Sequence, residues 1–232
     1  MNQPTTVWPR LQRGLGWAAA ISGIAALYIG LVGSPSEQFL GDLVRILYVH
    51  AGAAWVAYLA FGVTALASLV FLWRRQRAWD RLGLASAEIG VVLASLTLGS
   101  GMIWGRAAQG WWWRWEDPRL VLTLFMWFLY VAYLILRQFT EGERRALLSA
   151  VLAVIGVPTM ILNHVALDIF QQRVHPQRTF IREGGPAASE PIVSALLLSV
   201  LAYTLLYAWL LLSRVRLEQA RDVTRAKGLE NG

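Results

Sequence analysis

Six long apolar stretches separated by short polar ones set the pattern of this chain. They run Leu15–Gly33, Tyr48–Trp73, Gly83–Trp104, Leu120–Leu136, Ala146–Asn163 and Pro191–Ser213. The hydrocarbon core of a bilayer is about 30 Å thick and takes roughly 20 residues of α-helix, and each window approaches or exceeds that length with few charges inside. The pattern predicts an all-α integral membrane protein, a bundle of six transmembrane helices forming one membrane domain over residues 1–232. Arg10 and Arg13 precede the first stretch as they would in a signal peptide, but the run is long enough to span and lacks a small-x-small cleavage site before Ser34, so an uncleaved span is expected. Pro158 interrupts the fifth stretch alone and predicts a local kink. No internal repeat and no matched pair of Gly/Pro-interrupted spans suggests an alternating-access transporter. Residues 214–232 alternate arginine with acids and read as a tail, a helical extension that frays.

Charge orients the bundle. With the N-terminus inside, fourteen of the 21 basic residues fall on inner segments and seven on outer ones, the positive-inside pattern, which puts both termini in the cytoplasm. The outer segments also hold seven acids, so the net charge of +7 belongs to the inner face. Topology therefore accounts for a pI near 10.4, and no nucleic-acid partner is needed to explain it. A composition 56% hydrophobic fits lipid as the solvent. With no cysteine, the outer face has no disulfide and the chain no C-x-x-C-H for thioether-bound haem. A phosphate-binding G-x-x-x-x-G-K-[ST] loop is also missing, so nucleotide hydrolysis falls to a partner and no enzymatic activity is expected of this chain. Glu88, near the inner end of the third span, reads as a snorkelling carboxylate.

The candidate chemistry gathers on the outer side. His50 enters the second span, His164 leaves the fifth, and His175 lies in the loop beyond. Each alone reads most simply as an interfacial hydrogen-bonding group. Five of the twelve tryptophans, Trp104, Trp111, Trp112, Trp113 and Trp115, stand in residues 104–120, WGRAAQGWWWRWEDPRL. An interfacial belt spreads its indoles over many helix ends on both faces, whereas these crowd one outer segment among Arg106, Arg114 and Arg119. A ligand suited to indole faces, imidazoles and arginines is large, flat, apolar, anionic at one edge, and carries an atom that accepts imidazole. Haem meets all four requirements. Two other classes compete. A membrane b-type cytochrome for electron transfer would place histidine pairs at mid-span, and a transporter of another substrate would line its path with polar residues. No histidine sits at mid-span, and the spans hold few polar residues beyond Glu88 and scattered Ser and Thr.

The stretch WGRAAQGWWWRWEDPRL resembles the tryptophan-rich WWD signature of the haem-handling proteins of cytochrome c maturation, and RILYVHAGAAW is similar to the histidine segment of the CcmC family. The likeness covers all six spans. It implies a haem-binding component of the bacterial cytoplasmic (inner) membrane that transiently holds haem b on the periplasmic face and delivers it to the haem chaperone CcmE. It also implies assembly with an ATPase, a channel and a small subunit, CcmA, CcmB and CcmD. Residue by residue, the signature falls on Trp104, Gly105, Gly110, Trp112, Trp113, Trp115, Asp117, Arg119 and Leu120. His50 matches the first axial iron ligand, His175 the second, and Arg45 a basic position of the histidine segment. Glu116 intervenes where the family runs Trp directly into Asp, Pro118 follows the Asp, and the last outer loop lacks the family's tryptophans. From the residues alone, His164 competes with His175 for the second ligand, and a helix-capping role for His164 favours His175.

Overall fold

The computed structural model describes residues 7–170 and 189–230. Helix α1 (Val7–Tyr28) continues through a π-helical turn, Ile29–Gly33, and is followed by α2 (Val44–Arg74), α3 (Arg77–Gln109), α4 (Pro118–Leu136), α5 (Gly142–Phe170) and α6 (Glu190–Glu230). All six are long and apolar enough to cross a membrane. The chain is a multi-pass helical membrane protein. Successive helices reverse direction, so both termini lie at one end of the bundle, where Gln12 of α1 donates to Ser213 of α6 at 2.7 Å. The other end carries His50 and the tryptophan-rich segment; we call it the tryptophan end.

Helix α2 is the central element, packed against α3, α5 and α6. Lipid tails are as apolar as leucine, so association rests on close packing and interhelical hydrogen bonds rather than on escape from water. Phe61 of α2 lies so close to Gly90 of α3 that a Cβ there would sit 2.7 Å from the ring. The same ring stacks on Tyr130 of α4, centroids 3.9 Å apart, while the Tyr130 hydroxyl donates to the Phe61 carbonyl at 3.1 Å. Helix α6 closes the opposite side, its Tyr203 against Gly52 and its Tyr207 hydroxyl 2.8 Å from Ser86.

The helices outrun the apolar windows at several ends. Hydropathy reports depth in the bilayer, whereas a helix continues until its backbone is capped. Helix α3 runs to Gln109, where Gly110 at φ +85° ends it in the left-handed conformation, so Trp104 and Arg106 are helical rather than part of a loop. Helix α5 stays helical through Pro158 and on to Phe170, which puts His164 inside the helix and removes the capping role expected of it. Helix α6 continues to Glu230, the helical extension expected of the charged tail, and an Arg81–Asp222 bond of 2.9 Å ties that extension to α3.

At the end bearing the termini, charges meet in pairs around a polar cavity of about 300 Å³. Arg137 makes a two-pronged bond to Asp80 at 2.7 and 3.0 Å. Burial works against the Arg137 charge, but that hydrogen bond and the neighbouring groups outweigh it and hold its pKa above the ordinary value. Arg214 bonds Glu88 at 2.7 Å and Glu218 at 2.8 Å, so Glu88 is an interhelical partner rather than a lone snorkelling acid.

Candidate functional site

His50 lies in the second turn of α2, where the antiparallel packing of α2 on α3 brings it against Ser100 and Gly101. Its Nδ1 is 3.1 Å from the Ser100 hydroxyl, and a Cβ on Gly101 would stand 3.1 Å from its Cε1. One helical turn further along α3 comes Trp104. The first residue of the signature, 54 positions from the candidate imidazole in sequence, thus stands one turn of α3 beyond the residues that His50 touches. Neither Ser100 nor Gly101 stands out among the chemistry-bearing residues of the sequence; the small-residue run Gly99-Ser100-Gly101 shortly before Trp104 is the signal that could have marked them.

The chain then turns back on α3. Gly105 makes the turn sterically feasible, because a Cβ there would sit 2.9 Å from the Trp111 ring and 3.1 Å from its carbonyl oxygen. Arg106 donates to the Gly110 carbonyl at 2.7 Å, and the Arg114 guanidinium lies 5.6 Å from the centre of the Trp111 ring, a cation–π contact. Trp113 and Trp115 meet edge to face, centroids 5.5 Å apart at 68°. Trp112 and Trp115 are 55% and 71% exposed, so their indole faces remain accessible on a backbone that is itself tied down. Among the described residues, the buried indole N–H of Trp113 has no hydrogen-bond partner, nor does Nε of Arg45, whose Nη2 lies 3.1 Å from Asp42.

Asp117 is only 2% exposed and is the N-cap of α4, its carboxylate accepting from the backbone N–H groups of Arg119 at 2.9 Å and Leu120 at 3.3 Å. Pro118 occupies the next position, where a missing N–H costs nothing. The carboxylate expected to serve a ligand therefore has a structural role, and the departure from the family spacing at Pro118 is a helix start. Arg119, half-buried, stands in the first turn of α4; its carbonyl accepts from Thr123 at 2.7 Å and from Asn163 of α5 at 3.5 Å. His164 is exposed beside an apolar groove between α2 and α5 that Tyr58 and Met160 also line. His175 lies outside the described residues.

Fold and site define a multi-pass membrane protein with a half-buried histidine and a tryptophan-rich segment at the same end of its bundle. The family model of CcmC, heme exporter protein C, matches residues 3–229. Heme exporter protein C of Bradyrhizobium diazoefficiens is 31% identical over 231 residues, covering 97% of this chain and 86% of the relative. That of Escherichia coli K12 is 30% identical over 218 residues, 90% and 86% of the two chains. A ccmC-like mitochondrial cytochrome c biosynthesis protein of Marchantia polymorpha is 32% identical over 115 residues, half of each chain. The chain belongs to the heme exporter protein C family.

Proposed function

We propose that this chain holds haem at its tryptophan end, on the periplasmic face of the cytoplasmic membrane, and passes it to a haem chaperone of the CcmE type in cytochrome c maturation. The observation that carries this reading is the contact of His50 with the α3 turn leading into the tryptophan platform. A metal-binding side chain rests on that turn, and the segment that follows it carries exposed flat aromatic faces. The donor set suits haem: imidazole for iron, indole faces for the porphyrin, and buried N–H groups on Trp113 and Arg45 for a carboxylate at its edge. In this reading His50 and His175 supply the axial nitrogens, Trp104, Trp112, Trp113 and Trp115 cover the macrocycle, and Arg45 and Arg119 face the propionates. Asp117 contributes by setting the start of α4 and hence the place of Arg119. The chain acts by holding and releasing its cargo rather than by catalysis. Lipid surrounds the bundle, and nucleotide hydrolysis and the remaining passage of haem belong to CcmA, CcmB and CcmD partners.

Purified protein is expected to carry substoichiometric haem that is easily lost. His50→Ala and His175→Ala are each expected to lose most of it, with exogenous imidazole restoring part by filling the axial position. A normal haem spectrum in His50→Ala would overturn the reading. Reporter fusions after Arg77, Arg145 and Arg225 are expected in the cytoplasm and those after Ser36, Gly110 and Gly184 outside; a cytoplasmic signal at Gly110 would place the platform on the wrong face.

A further inference from the structure

The environment of His50 fixes more than its position. The Ser100 hydroxyl lies 2.7 Å from the carbonyl of Leu96, one turn back on α3, and 3.1 Å from His50 Nδ1. A carbonyl oxygen has no proton to give, so the short Ser100–Leu96 contact requires the single hydroxyl proton of the serine. Only lone pairs then remain to face the imidazole, and a hydrogen bond to Nδ1 requires that Nδ1 carry the proton. In a neutral ring with Nδ1 protonated, the nitrogen with the lone pair is Nε2. A histidine side chain in water favours the opposite tautomer, so the protein has to impose this one. Ser100 is buried and anchored within α3, which keeps its lone pairs directed at the ring. Gly101 completes the seat, since it lets the Cε1 edge of the ring rest close against the helix.

We propose that Ser100 is a positioning residue for haem binding: it holds His50 as the Nδ1–H tautomer, so that Nε2 is the nitrogen offered to iron. The proposal rests on the reading of His50 as an axial ligand, but its first consequence concerns the haem-free protein. A hydrogen bond on the distal ring nitrogen of a metal-bound histidine fixes ring orientation and raises the basicity of the ligating nitrogen, and its loss typically lowers metal affinity by about 10- to 100-fold. A serine acceptor is uncharged, so the lower end of that range is expected. Threonine offers the same hydroxyl with the same capacity to bond back to the i−4 carbonyl, and Ser100→Thr is expected to retain both tautomer and affinity.

The test uses full-length protein labelled with 15N-histidine, stripped of haem and held in detergent at alkaline pH, where imidazole is neutral. His50 is assigned by its disappearance in His50→Ala. The 15N shifts are expected to show a protonated Nδ1 and an unprotonated Nε2 in the wild type and in Ser100→Thr, and a shift towards protonated Nε2 in Ser100→Ala. Haem titration of the same three proteins is expected to give near wild-type affinity for Ser100→Thr and about tenfold weaker binding for Ser100→Ala. A wild-type His50 protonated mainly at Nε2 overturns the proposal without any variant, and so does a Ser100→Ala protein whose tautomer and affinity are unchanged. If His50→Ala keeps its haem spectrum, the ligand assignment falls and this role of Ser100 in haem binding falls with it. If His50→Ala loses haem while Ser100→Ala changes nothing, only the role of Ser100 is lost.

Discussion

The two ends of the bundle use arginine in opposite ways. At the end bearing the termini, Arg137, Arg81, Arg214 and Arg221 each meet a carboxylate at 2.7–2.9 Å, and the pairs link α3, α4 and α6 into a network. At the tryptophan end, Arg106 bonds a backbone carbonyl, Arg114 lies against an indole and stands 3.9 Å from an exposed Glu116, and Arg45 meets only the exposed Asp42 of its own segment, at 3.1 Å, while its buried Nε has no acceptor among the described residues. The first arrangement spends its charges on holding helices together. The second leaves cationic and aromatic groups facing outward on a fixed backbone, which is the condition a ligand needs. With haem proposed to bind at the tryptophan end, the contrast separates stability from binding, and substitutions at each end should tell the two apart.

The largest effect is expected from Arg137→Ala. The change would leave Asp80 largely buried without its partner, and breaking a buried pair from one side costs about 3–5 kcal/mol. Thermal unfolding in detergent should register this as a large loss of stability, while the haem spectrum per folded molecule stays as in the wild type. A change in that spectrum at equal folded fraction would mean that the two ends are coupled.

Next in size is the Trp112→Ala/Trp113→Ala double variant. Two stacking contacts of about 1 kcal/mol each correspond to roughly 30-fold weaker haem binding, enough to abolish transfer to a co-expressed chaperone. The amount of protein in the membrane should be unchanged, because Trp112 is largely exposed and the connection is held by Gly105, Trp111 and Arg106 instead. Unchanged transfer would make the cluster an interfacial belt.

Asp117→Ala belongs to both ends of the comparison, since it removes a structural bond at the binding end. Loss of an N-cap costs about 1 kcal/mol, and Asp117→Ser should recover most of it. Haem binding is expected to fall less than in the tryptophan double variant and to recover with Ser. If Ser restores stability but not haem, the carboxylate itself contacts the ligand.

The spans were legible because lipid leaves the chain few choices: twenty apolar residues in a row have to form a helix. Helix ends were less so, since beyond the hydrocarbon core hydropathy carries no information and capping takes over. Asp117-Pro118 is such a start signal, but its place in a ligand-like motif drew the carboxylate towards haem. The tryptophan cluster and His50 could be read locally. That His50 meets Ser100 could not, because the register of α2 on α3 is set by contacts such as Phe61 on Gly90, well away from either residue. The identity of the second histidine lies outside the described residues and rests on the family likeness.

The smallest effect is expected from His164→Ala, which compares two histidines towards the same end of the bundle. His50 is half-buried and bonded across to α3, whereas His164 is exposed, inside α5, with helix continuing for six residues beyond it. Its neighbouring carbonyls already belong to the helix ladder, so it has no cap to provide, and the groove beside it is apolar. Removing an exposed side chain with no such bond usually changes stability by less than about 0.5 kcal/mol. His164→Ala is therefore expected to match the wild type in thermal unfolding and in haem spectrum, whereas His175→Ala loses haem that imidazole partly restores. The spectra of the two variants, read side by side, decide the second ligand. If His164→Ala loses haem and imidazole restores it while His175→Ala keeps its spectrum, the second ligand lies on α5, and the groove between α2 and α5 becomes one wall of the haem site.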